Sequence, residues 1–545
     1  MTEPGSPITL GLDCSNGGAA TLAVDGMLVA AATERCAVHC DERGTRDDRP
    51  AARNDGSIGA WLRSSLHLQA GQIPEHAVAA CLQRGEVTMS AVKRLVLVDD
   101  LGAPLNGHRR AAESSGALDI VRVDRRQAAA WQMAAVSDAR VPTLIVCSDG
   151  DHFSLFRWCD DTMTPLGALD IGELFTAIEM MSRGCGGDGR FDSLDQLAAR
   201  PDASGQAVFA DMLTIEAQKV RADHHRLSTL LDGFEPVASR AFGIRPAQQL
   251  LIAAFCERST TVLTEFARNL LDRFDAARIA FIGDAFSSEG IRTGLTEQLG
   301  AAAAFAPFGD RLGPAAGAAL VDTHGARTPL RSVSLGPALT ESDVKAALDN
   351  CRLDYVYEPD WQRLLIRTSQ MLSRGNVVSW FNGSAPFGAS PDPARAILCD
   401  PSKPYARDNV NRFLRLGNLH DPLTVFLPAD GADAVVTAPM LSAFLPHRAT
   451  PRNEYRDRLR AALDQRGQLS VQTVTKHSHA LHRLLTLHRD QTGVPGLIAS
   501  ALGGEDGVAC SPRDAIRATF SSAVDALVIE RFLIMKDWWL LRSAL

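Results

Sequence analysis

Two apolar, strand-like runs open the chain, residues 8–13 and 19–29, joined by Cys-Ser-Asn-Gly-Gly and punctuated by a tight Asp25-Gly26 turn. The pattern predicts strand, turn, strand, turn, strand. A second unit of the same kind begins at Val141, where Val-Pro-Thr-Leu-Ile-Val-Cys-Ser leads to Asp149-Gly150-Asp151 and then to the apolar run 153–158. Between the two, residues 58–66 and 89–93 read as helices and 95–98 as a strand. The stretch 207–275 is helical in period, with apolar positions at Leu250, Ile252, Phe255, Val262, Phe266 and Leu270. Residues 279–283 read as a buried strand. The Ala- and Gly-rich stretch 301–319 suits a helix packed closely against a sheet or a ligand. After His324 the composition changes, and a second unit follows with a helix at 341–348 and a closing helix–strand pair ending near Leu541.

The repeated hairpin predicts a duplicated sheet domain. Two halves, each opening on a hairpin and followed by helices, describe the actin, sugar-kinase and heat-shock ATPase superfold, whose ligand sits between the halves near the turns. The expected fold is α/β in two domains, an actin-like duplicated domain over residues 1–330 and a second α/β domain over 331–545. A chain of 545 residues is too long for a single core. With 22% charged residues and a net charge of -8, it offers no clustered basic face for nucleic acid. No basic segment precedes an apolar stretch at the start, and no apolar run reaches the roughly 18 residues of a membrane span. The expectation is a cytoplasmic protein with no membrane contact. Eleven cysteines without a Cys-x-x-Cys pair suit reduced, mostly buried thiols.

Residues 380–401 read Trp-Phe-Asn-Gly-Ser-Ala-Pro-Phe-Gly-Ala-Ser-Pro-Asp-Pro-Ala-Arg-Ala-Ile-Leu-Cys-Asp-Pro. Without a gap this resembles the signature of the ATP-dependent carbamoyltransferases of the antibiotic and nodulation type, Trp-Phe-x-Gly-Arg-x-Glu-Phe-Gly-Pro-Arg-Ala-Leu-Gly-x-Arg-Ser-Ile-Leu-x-Asp-Pro. Trp380, Phe381, Gly383, Phe387, Gly388, Arg395, Ile397, Leu398, Asp400 and Pro401 keep the frame. Ser384, Pro386 and Ser390 stand where the family has Arg, Glu and Arg. Near the start, Gly11-Leu12, Asp25-Gly26 and Glu34-Arg35 keep the family's strand and turns, while its His-Asp turn reads Gly17-Gly18.

The resemblance implies two sites. The family's iron-type metal site uses a His-His-x-x-His cluster, with both outer imidazoles on one helical face, and a carboxylate from a Gly-Asp-x-Gly segment. Here the cluster maps to Asp124, Arg125, Arg126, Gln127, Ala128 and Ala129, and only Asp310 of the carboxylate segment matches. A guanidinium has no lone pair for a cation. The family's glycine-rich turn becomes Gly283-Asp284, which sets a negative charge where a phosphate would approach, and Ser287 and Ser288 read as helix caps.

The second domain resembles the YrdC-like module in which ATP and carbamoyl phosphate form a carbamoyl adenylate between Arg and Lys side chains. Over residues 411–422 the family Lys becomes Arg415, its Arg-Glu pair Gly417-Asn418, and its next Arg Asp421. In 466–474, Gly467, Gln472, Thr473 and Val474 persist. In 492–503 the family's Asn-Thr-Ser reads Ala499-Ser500-Ala501. Scaffold positions are kept while most charged and amide groups go.

On this resemblance the surviving catalytic candidates are Asp310, Asp149, Arg395 and Arg415. The cofactor-binding candidates are Gly383, Gly388, Arg395, Gln472 and Thr473. No metal site is expected to be retained, and ATP and carbamoyl phosphate are implied as cofactors by the resemblance alone. The implied function is a diverged, catalytically impaired family member of natural-product biosynthesis. It would handle a small-molecule metabolite and form a homo- or hetero-oligomer with a carbamoyltransferase-like chain. The alternative is an active carbamoyl or acyl transferase, or an altered condensation enzyme; a third reading makes the inter-lobe cleft a small-molecule sensor. Outside the resemblance, Cys36, His39 and Cys40 supply at most three soft-metal ligands. His477, His479, His482 and His488 read as solvated residues at a helix start, and Asp149, Asp151 and His152 as a turn facing the cleft. Arg125-Arg126 reads as an exposed pair, open to an acidic ligand.

Overall fold

The computed structural model describes residues 7–15, 18–41, 73–99, 109–110, 118–138, 140–198, 208–216, 219–234, 246–323, 330–388, 391–410, 423–438, 442–464, 466–504 and 507–536. The helix expected at 58–66 lies outside them.

Two sheets in the N-terminal region repeat one plan. In the first, β1 (Ile8–Asp13), β2 (Ala19–Val24) and β3 (Met27–Thr33) form an antiparallel meander. From its inner edge β4 (Arg94–Asp99) pairs with β1 in parallel, the short β5 (Arg109–Arg110) closes the far edge, and β6 (Asp119–Asp124) lies between. In the second, β7 (Thr143–Asp149), β8 (His152–Cys159) and β9 (Thr162–Leu169) repeat the meander. After a separate hairpin, β10 (Leu213–Glu216) with β11 (Lys219–Ala222), the second sheet is extended in parallel by β12 (Arg278–Ile282) and β13 (Ala303–Phe305). The orders β3-β2-β1-β4-β6 and β9-β8-β7-β12-β13 match strand for strand in direction. This is the actin-like duplicated architecture.

The helices that matter below follow in chain order: α1 (Glu34–Asp41), α2 (Glu75–Arg84), α3 (Arg125–Trp131), α4 (Gly172–Gly184), α5 (Phe191–Leu197), α6 (Pro246–Phe274), α7 (Glu289–Leu299) and α8 (Gly309–Ala318). Between the sheets, α3 and α8 share a core of Ala128, Ala130, Ala315 and Ala316 with Val96, Ile145 and Trp158. Small residues are needed because a Cβ at Gly11 of β1 would run into the backbone of Ala315 and Ala319. The close-packed helix expected over 301–319 is therefore present but shorter, since residues 303–305 form β13.

Two expectations need correction. Residues 207–275 are helical in part: a helix His224–Asp232 and α6 (Pro246–Phe274) are present, but Leu-Thr-Ile-Glu and Lys-Val-Arg-Ala pair as β10 and β11. Their β-branched Thr, Ile and Val favour a pleated surface over a helix. Residues 89–91 make a single 3-10 turn rather than a helix.

The C-terminal region is one ten-stranded mixed sheet, flanked by α9 (Glu341–Asn350), α10 (Trp361–Ser373), α11 (His479–Thr492) and α12 (Pro512–Phe520). Its strands include β14 (Val356–Tyr357) and β18 (Val436–Thr437) at the two edges, with β15 (Val378–Phe381), β16 (Arg395–Cys399), β17 (Thr424–Pro428), β19 (His447–Pro451), β20 (Leu469–Val474) and β21 (Leu497–Ala501) between them. A small hairpin, β22 (Gly503–Gly504) with β23 (Gly507–Val508), precedes the closing pair β24 (Ala526–Ile529) and β25 (Phe532–Met535). Leu364, Leu372, Leu481, Leu484 and Leu485 cover one face of the sheet with Trp380. Residues 330–335 cross back into the N-terminal core: Leu330 N donates to Ala135 O at 2.8 Å, and Ala31 N of the edge strand β3 donates to Leu335 O at 3.1 Å. Phe387 joins that core beside Val333 and Leu335.

Candidate functional site

In the first N-terminal sheet, β1 ends on Asp13, which is 1% exposed. Its carboxylate accepts from Ser15 N at 3.0 Å and Ser15 Oγ at 2.8 Å. Facing it is the first residue of α3. Asp124 caps that helix by accepting from Arg126 N at 3.0 Å, which fixes the first turn. Arg125 is thereby aimed at β1, and its Nη2 reaches both Asp13 oxygens at 2.8 Å as well as Ser15 Oγ. Arg126 folds back on Asp124 at 3.2 Å. The expected exposed, solvated pair is thus corrected: both arginines have carboxylate partners within the chain, because the α3 cap turns them toward Asp13 and Asp124.

In the second sheet Asp149 is exposed at the end of β7, paired in register with His152. Gly283 follows β12 with φ +116°, and a side chain there would collide with Ser148. Ser288 accepts from Ile291 N at 3.3 Å and donates to Asp192 at 2.6 Å, so it caps α7. Asp310 lies in the first turn of α8, and its side chain is outside the described residues. At the aligned metal position the donor set does not fit a metal: one carboxylate is already bound by a guanidinium that cannot coordinate. Among the described residues, no group of three or more His, Cys, Asp or Glu could hold a metal ion.

In the 380–401 segment Arg395 opens β16 opposite Phe381 of β15. It is fully buried. Its Nη1 donates to Asn382 O at 2.8 Å and Ala394 O at 2.7 Å, its Nη2 to Gly383 O at 2.9 Å, and its Cζ stands 3.5 Å from the Phe381 ring centre. Gly383 N in turn donates to Glu530 at 2.7 Å. Burial holds the Arg395 guanidinium below its ordinary pKa and pushes Asp392 up to about 6. Arg395 therefore folds its own loop from inside. Gly388 lies against Val333.

Asp400 makes a second internal link. It accepts from Ser402 N at 2.8 Å and lies 3.6 Å from His488 Nε2, while His488 Nδ1 meets Ser369 Oγ at 3.0 Å. The order Ser, His, Asp looks like a nucleophilic relay, but all three are buried and no substrate reaches Ser369. The relay ties β16 to α10 and α11. The solvated reading of the helix-start histidines is corrected for His482 and His488, which are buried. His488 continues the Leu481, Leu484, Leu485 stripe at i+7, which faces the sheet. Gln472 Nε2 donates to Ala443 O and Thr473 N to Ser442 O, both at 2.9 Å, so both residues brace 442–443. Arg415 lies outside the described residues.

A cavity of about 480 Å³ opens where α5, α6 and α7 meet β19 and the turn before β20. Arg466 Nη1 grips Asp195 Oδ1 at 2.9 Å and its Nη2 donates to Asp195 O at 3.0 Å. Arg448 holds the other carboxylate oxygen, and its backbone N donates to Thr293 Oγ1 at 3.2 Å. Burial pushes the neighbouring Glu289 up to about 7 and His447 down to about 3, the latter helped by Arg292. Sequence reasoning missed Asp13, Asp195 and Arg448. Only Asp13 left a signal, as the polar residue ending the first strand.

Residues 369–536 match the family model described as the carbamoyltransferase C-terminus. Nodulation protein NolNO of Sinorhizobium fredii is 25% identical over 187 residues, 32% of this chain and 27% of the relative. An uncharacterized protein of Methanocaldococcus jannaschii is 23% identical over 210 residues, 37% of this chain and 34% of the relative. The chain spans about a third of the length of the curated relatives it matches. Component A of the Acidaminococcus fermentans (R)-2-hydroxyglutaryl-CoA dehydratase overlays with a TM-score of 0.30 at 15% identity, covering 58% of this chain and 97% of that one. The actin-like assignment rests on the matched strand orders, not on that overlay. No helix among the described residues is long and apolar enough to cross a membrane.

Proposed function

We infer the role of this chain from one premise: it is a carbamoyltransferase-family protein. The reading best supported is a diverged member without the family's metal and phosphate chemistry. In it, the protein serves natural-product biosynthesis in the cytoplasm as the partner of an active carbamoyltransferase-like chain that handles a small-molecule metabolite.

The observation that carries this reading is the Asp13–Arg125 closure, with both oxygens of a buried carboxylate at 2.8 Å from one guanidinium nitrogen. A cation entering there would have to displace a permanently charged group and break charge-assisted bonds worth about 1.5–3 kcal/mol each. Two further features support it. Arg448 and Arg466 are already committed to Asp195, and the retained Arg395 is spent on backbone carbonyls. A phosphate clamp needs cations that face the ligand.

The test has two arms. Elemental analysis and calorimetric titration of the purified protein with ATP and with carbamoyl phosphate should give no stoichiometric metal and no binding heat. Co-expression with a carbamoyltransferase-like chain from the same source should yield a stable complex. Stoichiometric metal, or micromolar binding of either ligand, would sink the reading.

A further inference from the structure

Cys36 and Cys40 lie one turn apart on α1, and Cys510 precedes α12 in the C-terminal region. All three are buried, at 5%, 3% and 7% exposure, and with Ala385 of the 380–401 segment they form a closed cluster of their own. Cys40 Sγ donates to Cys510 O at 3.2 Å. Cys36 belongs to the same buried cluster, and its thiol pKa is raised by its interactions with Cys40 and Cys510 and by burial. Three cysteines from two distant parts of the chain therefore share one buried cluster at the junction of the N- and C-terminal regions.

The surroundings hold them there. Asp514 of α12 accepts from Cys510 N at 3.1 Å and from Ser511 N at 3.0 Å, which fixes the turn carrying Cys510. The same carboxylate lies 3.1 Å from His39 Nδ1 on α1, the residue between the two cysteines. One side chain thus sets both cysteine-bearing elements. Beside the cluster stands the fully buried Arg395, whose charge interacts with Cys36 and Cys40 and favours a thiolate once a proton leaves.

We propose that Cys510 forms a reversible disulfide with a cysteine of α1, clasping the N- and C-terminal regions together under oxidising conditions. The two α1 cysteines cannot serve each other: side chains at i and i+4 hold their Cβ atoms about 5–6 Å apart, against roughly 3.8 Å across a disulfide. Cys510 is the partner that geometry leaves. In the resting state the interactions with Cys40 and Cys510 and burial keep Cys36 protonated, so the reduced form is the default.

The oxidant is a low-molecular-weight disulfide such as oxidised glutathione. One α1 thiolate attacks its S–S bond, forming a mixed disulfide and releasing one glutathione thiolate. The Cys510 thiolate then attacks the protein sulfur of that mixed disulfide and releases the second glutathione. Two thiols lose two protons and two electrons, and one disulfide becomes two thiols.

The experiment treats the full chain with oxidised glutathione, denatures it in an alkylating agent, and maps disulfide peptides by mass spectrometry. The expected result is a peptide joining Cys510 to Cys36 or Cys40, removed by dithiothreitol, and an unfolding midpoint that rises on oxidation. Exposed Cys351 is the internal control and should carry glutathione. Full alkylation of Cys510 while Cys351 is glutathionylated overturns the proposal, as does any cross-link that lacks Cys510. In Cys510→Ser the midpoint should no longer respond to oxidant; because the mapping uses the unaltered chain, a poorly folding variant leaves the decision intact.

Discussion

Arg125 in the N-terminal region and Arg395 in the C-terminal region play opposite parts in the molecule. Arg125 stands where the family would carry an imidazole, and Arg395 is the cation the C-terminal signature kept. Arg125 is 13% exposed and locked to the Asp13 carboxylate in the N-terminal region. Arg395 is sealed inside the C-terminal region, bonded to three carbonyl oxygens and stacked on Phe381. The substituted residue closes onto a buried carboxylate, and the retained one builds a loop. A residue kept in a motif is thus no evidence by itself of chemistry kept, because the same position can be needed for folding.

The largest effect should come from Arg395→Met. It orphans the carbonyls of Asn382, Gly383 and Ala394 at once, and the loss should be roughly 3–5 kcal/mol of unfolding free energy. Urea unfolding followed by tryptophan emission measures it; a loss under about 1 kcal/mol would show that Arg395 is not the loop's organiser and would erase the contrast. Arg125→Gln should cost less, about 2–3 kcal/mol, since Asp13 keeps both Ser15 contacts. Pairing it with Asp13→Asn in a double-mutant cycle sharpens the comparison: additivity of the two losses would mean the ion pair holds nothing.

A third effect, on pH dependence, lies at the junction itself. Glu289 is raised from 4.5 to about 7, so the folded state holds its proton more tightly than the unfolded chain does. Stability from this group is therefore present at low pH and lost as pH climbs from about 4.5 to about 7. The stability of Glu289→Gln relative to the parent should rise across that window and level off above it. A flat difference would mean that Arg448 and Arg292 compensate the buried charge fully.

Much of the scaffold was legible in the sequence because it rests on local signals. The Asp25-Gly26 and Asp149-Gly150 turns announce their hairpins, and the two apolar runs that open each half identify the duplication. The β10–β11 hairpin was hidden by apolar spacing that suits either period. The site was less legible, since its decisive contacts join residues far apart in sequence: Asp13 with Arg125, Asp195 with Arg448 and Arg466, Cys510 with α1. The motif resemblance singled out Arg125 and Arg395 but said nothing about burial, and burial separates a clamp from a brace.

The strand β3 lies at the outer edge of the first sheet, and residues 330–335 run beside it, Ala31 N giving its proton to Leu335 O. An uncovered edge strand invites other chains to pair with it. The guard against that association is encoded some 300 residues downstream, on the path to the C-terminal sheet. A truncated N-terminal piece ending before Leu330 should therefore aggregate through β3, whereas one carried through Leu335 should stay dispersed.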